Sequence, residues 1–293
     1  MLFFLDLEAH HTGSSDSFVS TSRFVDPFTG KREKPATYVV LTQDYYQSTR
    51  ENSNQYTTTG FVETNFFDGR FAINASVPWN YYEQRNRQDA ARIGKPYVGV
   101  KYQPFFDLSK PYFVVFQGSV GFPSGPDTDR FTGGDFYAGS ANLTFGFMWN
   151  QFSWVGKMGG IRPLSRNQPN NLQDNDGIPY PTRLPSQKPP DPRYEYLNSF
   201  ITSTYITYYW KPQISFFAGI LYRNPYNGVE FDKNRDTKNP NYFTEGSLGF
   251  SYNFSEKYNL NLVYRVPTQR DTEFRLYYSA ITMAFSMELG SSD

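Results

Sequence analysis

The stretch Phe67 to Tyr82, FDGRFAINASVPWNYY, decides the fold. Phe71, Ile73, Ala75, Val77, Trp79 and Tyr81 take its odd positions and are apolar, while Asn74, Ser76 and Asn80 take even positions and are polar. Successive side chains of a strand point to opposite faces, so this segment has one greasy face ending in aromatics and one wet face. Asp68-Gly69 in front of it is a tight-turn signal. A strand of a water-soluble sandwich alternates in the same way, so the choice between sandwich and membrane barrel rests on how the pattern repeats.

Working outward, the same alternation predicts strands at 37–48, 56–66, 70–82, 95–105, 112–122, 137–149, 152–161, 198–210, 213–223, 242–254, 258–266 and 274–289. The links between these twelve candidates alternate in length. Short ones follow the even strands: Asp68-Gly69, 107–110, Asn150-Gln151, Lys211-Pro212 and 255–257. Longer polar ones follow the odd strands: 49–55, 84–94, 123–135, 163–197, 224–241 and 267–273. Bacterial outer-membrane barrels sort their connections in this way, with an even strand number, short periplasmic turns and long extracellular loops. A soluble sandwich or jelly roll has no reason to do so. The expected fold is all-β: a single antiparallel transmembrane barrel over 37–289, preceded by a leader at 1–36 and followed by a tail at 290–293.

Composition agrees with this. The 293 residues include 28 Phe and 24 Tyr, no Cys, and equal numbers of acidic and basic side chains. No apolar run approaches the ~20 residues that a spanning helix needs, whereas a spanning strand needs only about 10, half of them apolar. Charge balance gives no basic patch for nucleic acid. The start, MLFFLDLEAHH, is too short and lacks the basic residues of a signal peptide, although an outer-membrane destination requires one. The leader is rich in Ser, Thr, Asp and Lys without periodicity, and reads as a periplasmic extension or a luminal plug.

Parity assigns the faces. Leu143, Phe145, Phe147 and Trp149 share one face, as do Leu248, Phe250, Tyr252 and Phe254, and Ile281, Met283, Phe285, Met287 and Leu289. Aromatic pairs at strand ends, such as Tyr45-Tyr46 and Tyr81-Tyr82, fall where interfacial girdles belong.

Chemistry is sparse. The only histidines, His10 and His11, lie in the leader, so no Ser-His or Asp-His site is available in the barrel and no enzyme is expected. No metal or cofactor is expected: Asp174-Asn-Asp-Gly177 starts like a calcium loop but lacks the closing Glu. The polar face carries Asp44, Glu63, Lys101, Lys157, Glu245 and Arg265. Counted back from the turn at 255–257, Glu245 and Arg265 fall diagonally across adjacent strands. They serve either to brace the wall or, with Asp44, Lys101 and Lys157, to form a constriction that filters solutes. The proline-rich link at 163–197 is a folded lid or an external loop.

Two short segments, GKPYVGVKY at Gly94 to Tyr102 and VGFPSG at Val120 to Gly125, resemble the outer-membrane proteins named for the MetA pathway of phenol degradation. The resemblance extends over about Gly60 to Gly125. It departs at Lys95-Pro96, where Asp is usual, and at Ser124, where Thr is usual. It implies a barrel of twelve or so strands that moves small, often aromatic, compounds, and it carries no site residues over. The expected function is a narrow passive channel in the bacterial outer membrane. Membrane lipids and small solutes are its expected partners, and nucleic acid is not. The alternative is a plugged scaffold that holds a protein partner through its loops or leader.

Overall fold

The structure, a computed structural model, describes residues 25, 26, 29, 31–48, 54–83, 90–105, 111–124, 137–164, 199–225, 243–255, 257–268 and 277–289. Among the described residues thirteen strands run in chain order: β1 (Tyr38–Ser48), β2 (Asn54–Phe66), β3 (Phe71–Glu83), β4 (Ala90–Ile93), β5 (Tyr97–Tyr102), β6 (Tyr112–Gly121), β7 (Ala138–Trp149), β8 (Phe152–Pro163), β9 (Ser199–Lys211), β10 (Ile214–Pro225), β11 (Phe243–Asn253), β12 (Tyr258–Pro267) and β13 (Tyr277–Glu288). Each pairs antiparallel with its neighbours, and β1 pairs with both β2 and β13, which closes the sheet into a barrel. Segments β4 and β5 both pair with β3 and share one position in the wall, so the ring has twelve.

The short β4 corrects the expectation of a loop over 84–94. Four residues are too few to show alternation, and the strand is interrupted before Tyr97. The interruption sits opposite Pro78 of β3, whose carbonyl accepts from the Gly94 amide at 2.9 Å. A Cβ on Gly94 would lie 2.9 Å from the Pro78 ring, so glycine is what lets the chain pass.

Both ends of the barrel wall meet at one rim. Tyr38 pairs with Glu288, and the Leu289 amide donates to the Thr37 carbonyl at 3.0 Å. The same rim carries the turn at 67–70, with Phe67, Asp68 and Gly69 at positive φ, and the two-residue turn at Asn150, φ 52°. Asn, Asp and Gly tolerate this left-handed backbone best, which is why these turns can be so tight.

Outward positions are apolar and inward ones mostly polar or small. Leu248 is 64% exposed, and Phe147, Trp149, Ile281 and Met283 also face out, while Ser247, Ser251, Thr144, Thr282 and Ser286 are buried inside. Aromatic rings touch along the short-turn rim: Phe71 stacks on Tyr102 at 4.6 Å, and Phe152 lies 5.0 Å from Tyr208. At the opposite rim Tyr45, Tyr56 and Tyr81 form a second run, with centroids 5.2 and 5.9 Å apart. Two belts around an apolar band are the outer surface of a barrel that crosses a bilayer.

The interior is not purely polar. Phe113, Val115, Val155 and Tyr205 form one buried cluster, and Ala36, Tyr38, Val40, Phe61 and Ala284 form another. Both lie against the segment at 25–36, which enters the barrel from Tyr38.

Candidate functional site

That segment folds back on itself. Val25 bridges antiparallel to Arg32, the Asp26 amide donates to the Lys31 carbonyl at 2.8 Å, and the Thr29 hydroxyl donates to the Asp26 carboxylate at 3.0 Å. The sequence VDPFTGKR at Val25 to Arg32 carries Asp-Pro and Gly, which favour such a turn.

Among the described residues, three groups of ion pairs line the barrel interior. In the first, the Lys101 ammonium of β5 lies 2.9 Å from the Glu63 carboxylate of β2. The two strands are separated by β3, whose inward Ala72 is small enough to leave them a passage. Glu63 also accepts from the Ala36 amide at 3.1 Å and from the Asn74 amide group at 3.3 Å, and Lys101 donates to the Arg32 carbonyl at 2.6 Å. In the second, Lys157 of β8 holds Asp26 at 3.1 Å and Glu33 at 3.3 Å, and the Tyr205 hydroxyl donates to Glu33 at 3.2 Å. In the third, Arg265 of β12 lies 2.8 Å from Asp44 of β1 and 3.7 Å from Glu245 of β11, and donates to the Tyr46 hydroxyl at 3.0 Å. A further pair, Arg32 with Glu288 at 3.0 Å, ties the hairpin to the end of β13.

The structure thus brings Asp44, Glu245 and Arg265 into one wall cluster, and places Lys101 and Lys157 apart from it. Both lysines hold hairpin groups. Sequence reasoning missed Asp26, Arg32, Glu33, Tyr46 and Tyr205. The turn chemistry at 25–32 signals a hairpin, but nothing local signals that it lies inside the barrel.

Burial shapes the hairpin's own charges. Loss of hydration pulls the Lys31 and Lys34 ammonium groups down to about 8, with the positive charges of Lys101 and Lys157 adding to the effect at Lys31. Loss of hydration pushes the Glu33 carboxyl up, against the opposing pull of Lys157. Among the described residues no group of three or more His, Cys, Asp or Glu side chains is placed to hold a metal. His10 and His11, the link at 163–197 with its Asp174-Asn-Asp-Gly177, and the tail at 290–293 lie outside the described residues.

No family model matches the chain, nor does any curated protein. Solved structures do. The chain is similar to the COG4313 outer membrane channel from Pseudomonas putida F1, with TM-score 0.61, 8% identity, and coverage of 90% of this chain and 99% of that one. It is also similar to the NanC porin, with TM-score 0.51, 13% identity, and coverage of 86% and 99%. The fold is that of outer-membrane β-barrels. At these identities the likeness reaches the fold and no further.

Proposed function

We propose that the chain is a bacterial outer-membrane channel that passes small solutes passively through a narrow lumen, with the short turns and both ends of the barrel wall on the periplasmic side. The resemblance read from the sequence implies aromatic compounds among those solutes. The observation that supports this reading is the closed twelve-position ring with charged side chains pointing inward. Even a paired buried charge gains little stability over an apolar side chain of similar size, so placing so many inside is hard to explain by stability alone. Passage makes and breaks no bond, and selectivity follows from lumen width and from the field of the lining charges. In this reading 37–289 is the wall and the hairpin at 25–36 is the element that narrows it.

The hairpin also favours a second reading, a plugged scaffold whose loops hold a protein partner, because its contacts reach β1, β2, β5, β8, β9 and β13. Planar-bilayer recording of the refolded full chain separates the two. Discrete single-channel steps are expected. Heat-modifiable, inserted protein that passes no current would overturn the channel and leave the scaffold.

A further inference from the structure

Two inward side chains stand near the long-loop ends of their strands. Arg223 lies two residues before the end of β10 at Pro225, and Tyr97 begins β5 opposite Gly121, the last residue of β6. Along β10 Phe216 and Ile220 face out while Ser215 and Phe217 face in, and this alternation turns Arg223 inward. Along β5 Val98, Val100 and Tyr102 face out while Lys101 faces in, which turns Tyr97 inward as well. Both are partly exposed, whereas the inward Phe113, Val155 and Tyr205 are buried. The lumen is therefore open to water at these two side chains.

Their strands lie almost opposite one another in the ring of twelve, with β6, β7, β8 and β9 between them on the shorter arc. The Tyr97 ring leans over Gly121: a Cβ there would meet the ring at 2.6 Å and the Lys95 stem at 2.8 Å. Glycine thus lets the ring tilt toward the arc that carries Arg223. The positive charge of Arg223 acts on the Tyr97 hydroxyl, and also on the Glu245 carboxylate of the neighbouring β11.

We propose that Arg223 and Tyr97 form a second constriction of the lumen, on its long-loop side, and that Arg223 makes this crossing favour anions. This rests on the channel reading above and adds to the hairpin a filter carried by the wall. Tyr97 supplies width, because its ring occupies space that a smaller side chain would leave to water. Arg223 supplies charge, because a guanidinium stays protonated at any working pH and cations lining a narrow pore draw anions in.

The experiment is recording of the full-length protein in planar bilayers under a potassium chloride gradient. Arg223→Gln should move the reversal potential toward cations, Arg223→Lys should hold it near the wild-type value, and Tyr97→Ala should enlarge the single-channel step. Lys211→Gln, at an exposed turn, should behave as wild type. A second measurement needs no current. The chain has no cysteine, so the thiol of Tyr97→Cys is unique, and it should react faster with a negatively charged methanethiosulfonate than with a positively charged one. Adding Arg223→Gln should cut that ratio several-fold. An unchanged reversal potential in Arg223→Gln together with an unchanged thiol ratio overturns the charge assignment. An unchanged step in Tyr97→Ala, or a thiol that neither reagent reaches in the folded protein, overturns the constriction while leaving the channel standing. Absence of any current from inserted wild type overturns the channel and the constriction together.

Discussion

Arg265 and Asp44 lie 221 positions apart in the chain, yet their side chains meet at 2.8 Å across β13. The inward residues of β13 between them are Ala280 and Thr282, and the Thr282 hydroxyl donates to the same Asp44 oxygen. The pair therefore ties the first strand to the twelfth and braces the seam where the barrel closes.

Removing the cation from this cluster should hurt more than removing the distant acid. Arg265→Ala leaves Asp44 and Glu245 buried without their counter-charge, and an uncompensated buried charge costs about 3–5 kcal/mol. Glu245→Gln weakens the longer, 3.7 Å contact and should cost less than about 1 kcal/mol. Urea unfolding in lipid vesicles measures both, and equal losses would argue against the cluster as a brace.

The outward face gives a depth test. Leu248→Arg places a charge at the middle of the apolar band and should cost about 2–4 kcal/mol, whereas Phe254→Arg, past the end of β11, should cost about 0–1 kcal/mol. The same unfolding measurement checks it. Similar losses at the two positions would show that the outward band does not face lipid.

Lysine titration should alter the charge of the lumen. Burial lowers Lys31 and Lys34 from 10.5 to about 8. Both are therefore charged at neutral pH and become neutral as pH rises through about 8, with Asp26, Glu63, Lys101 and Lys157 as the charges acting on Lys31. The cost of holding the buried ammonium groups is fully present below about 8 and is relieved between there and 10.5, so the hairpin should seat more firmly as pH rises. Reversal potentials recorded near neutral pH and near the upper end of that range should shift toward cations with alkalinity. A shift the other way, or none, contradicts lysines that titrate in the lumen.

Lys157 holds two hairpin carboxylates, so it should control how tightly the hairpin sits. Lys157→Met removes the ammonium that Asp26 and Glu33 both touch, and the hairpin should detach while the backbone ladder of the barrel stays intact. Single-channel records should show larger and noisier steps than wild type. Unchanged conductance would mean that the hairpin does not narrow the passage.

Most of the wall was legible in the sequence because a strand with one face in lipid and one in the lumen must alternate. Ile73, Leu248 and Met283 announce the outside, and Asn74, Ser247 and Thr282 the inside. The loop rhythm then supplied the closure. Glu245 and Arg265 could be placed diagonally because they flank a short turn, which fixes register. Asp44 could not be joined to them, because that contact depends on β1 returning to β13, a pairing of the two ends of the chain. Where the hairpin seats was illegible for a different reason. Its eight-residue turn carries no periodicity, and its partners Lys101, Lys157 and Tyr205 are scattered along the sequence, so only the closed barrel brings them together.

The Arg32 amide donates to the Tyr38 hydroxyl at 2.8 Å, and β1 begins at that tyrosine. The hairpin is thus leashed to the wall by a handful of residues. A segment on so short a leash stays at an effective concentration in the millimolar range or above at its own seat, whatever the dilution of the protein. Detachment is then always followed by quick return, and a free peptide with the same residues, however well it fits, competes poorly for the seat. In the proposed channel, opening and closing would then be properties of one molecule, independent of how many copies the membrane holds.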